Sequence, residues 1–89
     1  MNYFAAFLHM QDEKKNADLR PRHLSFLEEQ EAQGRILARG PFADGSGGLV
    51  IYRAPSLEEA RSLAESDPYV GEGARRLELH EWAIKMKVL

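Results

Sequence analysis

The hydrophobic pattern of this chain begins with an apolar, aromatic-rich run from Asn2 to Met10. Side chains along a strand point alternately to its two faces. Both faces of this run are apolar: Phe4, Ala6, Leu8 and Met10 share one face, and Tyr3, Ala5, Phe7 and His9 share the other. The run therefore predicts a strand that is buried on both sides.

A helical pattern follows the polar run from Gln11 to Ala17. We predict that Asp18 is the N-cap, and that the helix reaches Gln33 and ends at Gly34. Pro21 fits this assignment because the first turn of a helix does not need the N–H group that proline lacks.

Two strands are predicted next, over Ile36–Arg39 and Gly48–Arg53. The segment that joins them is GPFADGSGG, with four glycines and one proline. This composition indicates a hairpin with a flexible connection, longer than a two-residue turn.

A capping box of Ser56 and Glu59, followed by apolar residues at helical spacing, predicts a second helix. The helix must end near Asp67, because Pro68 disfavours the helical conformation in the residue before it. Alternation from Arg76 to Ile84 predicts the last strand.

The order strand, helix, strand, strand, helix, strand predicts a single α+β domain over residues 1–89 with a ferredoxin-like βαββαβ arrangement. Its antiparallel four-stranded sheet would carry both helices on one face. The other face would expose Tyr3, Phe7 and Trp82 beside the apolar strand that contains Leu49. Soluble monomers rarely expose an apolar patch of this size. We therefore expect a homodimer in which two sheets pack face to face, a dimeric α+β barrel.

Charge and composition narrow the choice of partner. The chain has 12 Lys and Arg against 14 Asp and Glu, spread along its length, so we expect no nucleic-acid partner. The lack of cysteine excludes disulfides and thiolate nucleophiles and fits a reducing compartment, so we expect a cytoplasmic protein. The apolar amino terminus is too short to cross a bilayer, and we expect no membrane association.

His23 falls within the apolar arc of the first predicted helix, which is formed by Leu19, Leu24, Phe26 and Leu27. An imidazole in that place must be hydrogen-bonded, or it loses its charge through desolvation. One interpretation is a packed histidine satisfied by a backbone carbonyl or a water molecule. The other is an acid–base group whose tautomer is fixed by a neighbouring carboxylate.

Asp67 also has two interpretations. An aspartate in front of Pro68 is well suited to cap a short turn that begins there. A capping carboxylate still has an oxygen free to orient an imidazole, so the two roles can coexist. Since the two crossover helices of this arrangement pack side by side, we treat His23 and Asp67 as a candidate acid–base pair.

Three further residues are candidates for ligand binding. Arg20, at the edge of the apolar arc, can pair with a substrate carboxylate or simply be solvated. Tyr69 can donate a phenolic hydrogen bond into a pocket or pack beneath the glycine-rich segment after it. His9 lies on the predicted dimer side of its strand, as does His80. We expect no metal site, because no other ligand stands at a suitable spacing beside either histidine.

Four short motifs occur along the chain in a distinctive order. They are Arg20-Pro21-Arg22-His23-Leu24, Gly34-Arg35, Gly40-Pro41 and Asp67-Pro68-Tyr69-Val70. In this order and spacing the chain resembles the YciI-like family over essentially its whole length. The resemblance implies a ferredoxin-like dimeric α+β barrel with a histidine and an aspartate in the active site, which map onto His23 and Asp67. Fold relatives of that family include muconolactone isomerases and a chlorohydroxyhydroquinone dehydrochlorinase, which implies isomerase or lyase chemistry.

Two functions from different classes remain open. The first is an enzyme in which His23 acts as a general acid or base on a small carbonyl compound, while Asp67 orients it and Arg20 and Tyr69 position the ligand. No organic cofactor is expected, because no phosphate-binding glycine motif follows a strand and opens a helix. The second is a non-catalytic dimeric module that binds a small ligand or a protein in the same cleft.

Overall fold

A computed structural model describes residues 1–87. The elements in chain order are β1 (Asn2–Met10), α1 (Glu13–Ala32), β2 (Ile36–Pro41), β3 (Gly47–Ala54), α2 (Leu57–Glu65), α3 (Pro68–Gly71) and β4 (Arg75–Trp82). The strands form one antiparallel sheet in the order β2-β3-β1-β4. This order confirms the predicted ferredoxin-like α+β fold, in which each long helix connects two strands that are separated by a third.

The core lies between the sheet and the helices. Phe4 pairs with Tyr52 in the β1–β3 register, both are fully buried, and Leu27 of α1 packs in the same cluster. Ala60 and Ala64 of α2 are also fully buried. Small side chains at these two positions let the helix approach the sheet closely, so that most of the apolar area of β1 and β3 is removed from water.

The long helix begins earlier than predicted. The N-cap is Asp12, whose carboxylate accepts a hydrogen bond from the backbone N–H of Lys15 at 3.0 Å. The prediction of Asp18 as the cap was therefore wrong. The backbone N–H groups of Gln11 and Asp12 both donate to the carbonyl of Ala74 at 3.1 Å, and this contact from a distant segment fixes the turn that starts the helix.

Pro21 consequently lies inside α1 rather than in its first turn. A proline there removes the hydrogen bond to the carbonyl of Ala17. Both residues are exposed, so water can satisfy that carbonyl. Although α1 is long, none of the helices within residues 1–87 is long and apolar enough to span a membrane.

The β2–β3 hairpin is longer than predicted and its connection is shorter. Only five residues, 42–46, separate the strands. Within this turn the N–H of Phe42 donates to the carbonyl of Gly47 at 2.8 Å, and Asp44 accepts from the N–H of Ser46 at 2.9 Å. Because the turn closes on its own hydrogen bonds, the strand pairing extends into the glycine-rich segment.

The second half of the chain follows the prediction closely. Ser56 caps α2 by accepting from the N–H of Glu59 at 3.2 Å. The helix ends at Glu65, and the short α3 follows directly behind Asp67. The last strand starts at Arg75 and stops at Trp82, which is one residue earlier than predicted at its start and two at its end.

The sheet face opposite the helices is not covered by any element within residues 1–87. Phe7 and Leu49 are half-buried on this open face, and Trp82 is 45% exposed. The predicted homodimer would cover them. Dimerisation stays a prediction.

Candidate active site

His23 and Asp67 form a buried hydrogen-bonded pair. Nδ1 of His23 is 2.8 Å from Oδ1 and 2.9 Å from Oδ2 of Asp67, although the residues are 44 positions apart in the chain. The aspartate is completely buried and the histidine nearly so. An ionised carboxylate only accepts hydrogen bonds, so Nδ1–H of His23 is the donor. In the neutral ring, Nε2 is then left as an unprotonated acceptor.

The local sequence explains how Asp67 is held. It is the N-cap of α3, and its Oδ1 accepts a hydrogen bond from the backbone N–H of Tyr69 at 2.9 Å. Pro68 occupies the first turn of that helix. The carboxylate therefore serves as a cap and contacts the imidazole at the same time. Its role in an acid–base pair stays a prediction.

His23 is held by its helix and by an aromatic neighbour. The residues that α1 buries, Leu19, His23, Leu27 and Gln30, form one stripe at spacings of four, four and three. This stripe directs the imidazole toward the sheet and α3. The ring stacks on Tyr69 with centroids 3.8 Å apart and planes 13° apart. The stacked ring and the carboxylate together fix the orientation of the imidazole.

Arg75 completes the cluster, and it is not among the residues that were predicted from the sequence. Its guanidinium carbon lies 4.6 Å from the centre of the Tyr69 ring, and its Nε donates to Oδ1 of Asn16 at 2.8 Å. Burial lowers the pKa of Arg75, while the nearby Tyr69 and Asp67 act in the opposite direction. The sequence did carry a signal for Arg75. Side chains two positions apart in a strand share a face, so Arg75 lies on the same side of β4 as Leu77, which faces the helices. The predicted strand began one residue too late to use it.

A cavity of about 70 Å³ lies between α1, α3 and the sheet. Its lining includes His23, Tyr69, Arg20 and Arg75, and the glycine-proline pair of β2 at positions 40–41 also contributes to it. A water molecule needs roughly 10–15 Å³ of such space, so the cavity accommodates a group of several heavy atoms. The structure thus brings four of the residues described above to one small cavity.

Two buried hydroxyl groups have no hydrogen-bond partner within residues 1–87. They belong to Tyr52 and Tyr69. Burial raises the pKa of Tyr52, and the charge of Asp67 raises it further. Tyr69 also lines the cavity.

His9 lies away from this cluster. It belongs to the β1 face that is turned away from the helices, and its Nε2 is 2.7 Å from Oε1 of Glu78. Nε2 of His80 is 2.7 Å from the other oxygen of that carboxylate. Both hydrogen bonds lower the pKa of Glu78, and the one from His80 has the larger effect. Within residues 1–87, no set of three or more His, Cys, Asp and Glu side chains is placed to hold a metal ion.

Residues 1–83 match the model of the YCII-related domain. The chain belongs to the YCII-related family. The family resemblance that the motifs indicated is thereby confirmed. Within this family, the YCII-related chain is 37% identical over 83 residues to the uncharacterized protein YjpA of Bacillus subtilis, in an alignment that covers 93% of this chain and 98% of that protein. It is 36% identical over 70 residues to the protein YciI of Escherichia coli, covering 67% of this chain and 71% of that protein.

A solved structure has the same fold. It is the 5-chloro-2-hydroxyhydroquinone dehydrochlorinase TftG of Burkholderia phenoliruptrix, in complex with 2,5-dihydroxybenzoquinone. The TM-score is 0.76, with coverage of 90% of the YCII-related chain and 92% of TftG at 24% identity. This similarity supports the ferredoxin-like assignment for the YCII-related chain.

Proposed function

We propose that this protein is a small-molecule enzyme in which His23 acts as the general acid–base group and Asp67 orients it. The observation that carries the proposal is the contact between Nδ1 of His23, a residue that lines the cavity, and the fully buried carboxylate of Asp67 behind it. The hydrogen bond leaves Nε2 able to accept a proton, and the aspartate stabilises the imidazolium that results.

The reaction that fits this arrangement is proton transfer next to a carbonyl group. His23 takes a proton from carbon, and the electrons of the C–H bond move toward the carbonyl oxygen. Return of the proton to another carbon gives an isomerase, and loss of a leaving group gives a lyase. TftG is a dehydrochlorinase and was solved with a hydroxylated quinone, which supports cyclic or unsaturated carbonyl compounds as the class to test. Proton transfer of this kind needs no organic cofactor.

Arg20 and Tyr69 are the residues that we propose position the substrate, since both line the cavity. We further propose a cytoplasmic homodimer, in which a second copy covers the open face around Phe7 and Trp82. His9 lies on this face, so its predicted contact with a ligand requires a cleft completed by the second copy.

The direct test compares turnover of His23→Gln with that of the unmodified protein on a panel of hydroxylated quinones and unsaturated lactones, followed by ultraviolet absorbance. Loss of a general base should reduce kcat by about 10²–10⁴-fold while ligand affinity is retained. Arg22→Gln is the control, because this exposed arginine belongs to the same helix and lies outside both the cavity and the open face. Equal turnover in the two variants would contradict the proposal. Ligand binding without turnover in the unmodified protein would favour the non-catalytic module.

The dimer is tested separately by the molar mass in solution. Trp82→Glu, on the open face, should convert the dimer to a monomer because a charge is then buried in an apolar interface. Leu57→Glu is the control, since this leucine is 44% exposed on α2 and lies outside the open face. If the unmodified protein has the molar mass of a monomer at all concentrations, the proposed dimer is refuted.

A further inference from the structure

The cavity beside His23 carries more positive than negative charge. Arg20, Arg39 and Arg75 all line it. Arg39 is neutralised by Glu31, whose Oε1 lies 3.0 Å from its Nη2. Neither Arg20 nor Arg75 forms an ion pair within residues 1–87. Their guanidinium groups are close enough for the charge of Arg20 to act on Arg75.

Arg75 is held in place by contacts that leave part of its guanidinium free. The residue is only 9% exposed. Its Nε is used by Asn16, and the group lies over the ring of Tyr69. Neither partner is an anion. The carboxylate of Asp67 is near enough for its charge to act on Arg75, but its hydrogen bonds go to His23 and to the N–H of Tyr69 and not to the guanidinium. A buried cation that makes no ion pair of its own favours an anionic ligand.

The backbone beside Arg75 is kept free of side chains. A Cβ placed on Gly48 would stand 3.3 Å from Nη1 of Arg75 and 2.9 Å from the carbonyl oxygen of Gly40. Any other residue at this position would crowd both the strand pairing and the guanidinium. The missing side chain of Gly48 thus leaves room for the guanidinium of Arg75 beside the strand pair.

We propose that the ligand of this cavity is a small organic anion, and that Arg75 together with Arg20 binds its carboxylate or enolate oxygen. The proposal rests on the function proposed above and names its substrate class. Guanidinium groups bind carboxylates through charge-assisted hydrogen bonds. When His23 accepts a proton from carbon, the negative charge develops on an oxygen that these cations already face.

The experiment compares two probes of the same shape and different charge, crotonate and crotonamide, by NMR titration of the backbone amides. Crotonate should perturb residues around the cavity, and crotonamide should bind at least about tenfold more weakly, since charged hydrogen bonds are roughly twice as strong as neutral ones. Equal affinity for the two probes would overturn the proposal, and so would crotonate shifts confined to residues outside the cavity.

Arg20→Gln tests the residue assignment without endangering the fold, because Arg20 is exposed. It should weaken crotonate binding by about tenfold. Arg22→Gln is the matched control: this arginine also flanks Pro21, but it pairs with Glu72 at 2.7 Å and lies outside the cavity. An unchanged crotonate affinity in Arg20→Gln would remove that residue from the site. Arg75→Met should abolish crotonate binding, and its amide spectrum shows whether the fold is retained.

The same titration on His23→Gln separates this proposal from the proposed function. Crotonate binding that persists in His23→Gln supports the anion site even if no turnover is ever observed. Charge-independent binding would overturn the anion site even if His23 proves to be catalytic.

Discussion

Replacing Asp67 with asparagine removes one negative charge from a completely buried position and leaves the side-chain volume almost unchanged. The N–H of Tyr69 donates to Oδ1 at 2.9 Å, so the amide of the variant must keep its oxygen there. The amide nitrogen then occupies the position of Oδ2, 2.9 Å from Nδ1 of His23. That nitrogen is a donor and would meet a second donor, Nδ1–H. The amide oxygen at Oδ1, 2.8 Å from Nδ1, remains as an acceptor but no longer carries a charge. Moving the proton from Nδ1 to Nε2 removes the donor–donor conflict and lets Nδ1 accept from the amide nitrogen, so we expect that tautomer in the variant.

The size of the effect follows from the bond that is lost. A hydrogen bond to a charged group contributes about 1.5–3 kcal/mol, and a neutral one about 0.5–1.5 kcal/mol. Asp67→Asn should therefore lower the free energy of unfolding by about 1–1.5 kcal/mol, which is a decrease of about 4–12 °C in Tm for a domain of this size. Turnover should fall by about 10²–10⁴-fold, because Nε2 becomes a donor and no longer accepts a proton.

Nitrogen-15 NMR of the imidazole rings reports directly which nitrogen of His23 carries the proton, and thermal unfolding reports the stability. Asp44→Asn is the matched control, because Asp44 also accepts a backbone hydrogen bond in a turn, from Ser46, but contacts no histidine. If His23 keeps its proton on Nδ1 in Asp67→Asn and Tm is unchanged, Asp67 does not orient the ring and the reasoning fails.

Three further predictions concern stability. Because burial raises the pKa of Tyr52 above the ordinary tyrosine value of 10.0, its contribution to stability is complete below pH 10 and decreases above it by about 1.4 kcal/mol per pH unit. Tyr52→Phe should lack this alkaline loss when Tm is measured against pH, and an unchanged pH profile would contradict the prediction. Gly48→Ala should lower the free energy of unfolding by about 1–3 kcal/mol, since the new Cβ would lie 2.9 Å from a backbone oxygen. Gly71→Ala is the control and should leave that free energy unchanged, because its Cβ would lie 3.5 Å from the nearest atom. Ser56→Ala should cost about 1 kcal/mol in denaturant unfolding through loss of the α2 cap, and no loss would show that the cap is dispensable.

Most of the site follows from signals that the sequence carries locally. The stripe of buried residues in α1 includes His23 because it is four residues from both Leu19 and Leu27. The sequence Asp67-Pro68 specifies a cap, and the structure shows that this cap is also the partner of the histidine. The order of the motifs was sufficient to indicate the family. Local patterns succeed here because capping and helical periodicity involve residues only three or four positions apart.

Other features depended on contacts between distant segments. Asp12 and Asp18 are both chemically suitable caps, and only the hydrogen bonds of residues 11 and 12 to the carbonyl of Ala74 start the helix at the first of them. Arg75 reaches the cavity because β4 pairs with β1 in a register that turns it toward the helices.

The sequence by itself therefore determined the order of the elements, the residues with suitable chemistry and the family. The tertiary structure decided that His23 and Asp67 meet at 2.8 Å, that Tyr69 and Arg75 pack beside them, and that His9 faces the other side of the sheet. The physical reason is that element type follows from interactions within one turn or strand. The distances between side chains in a site depend instead on the packing of several elements at once.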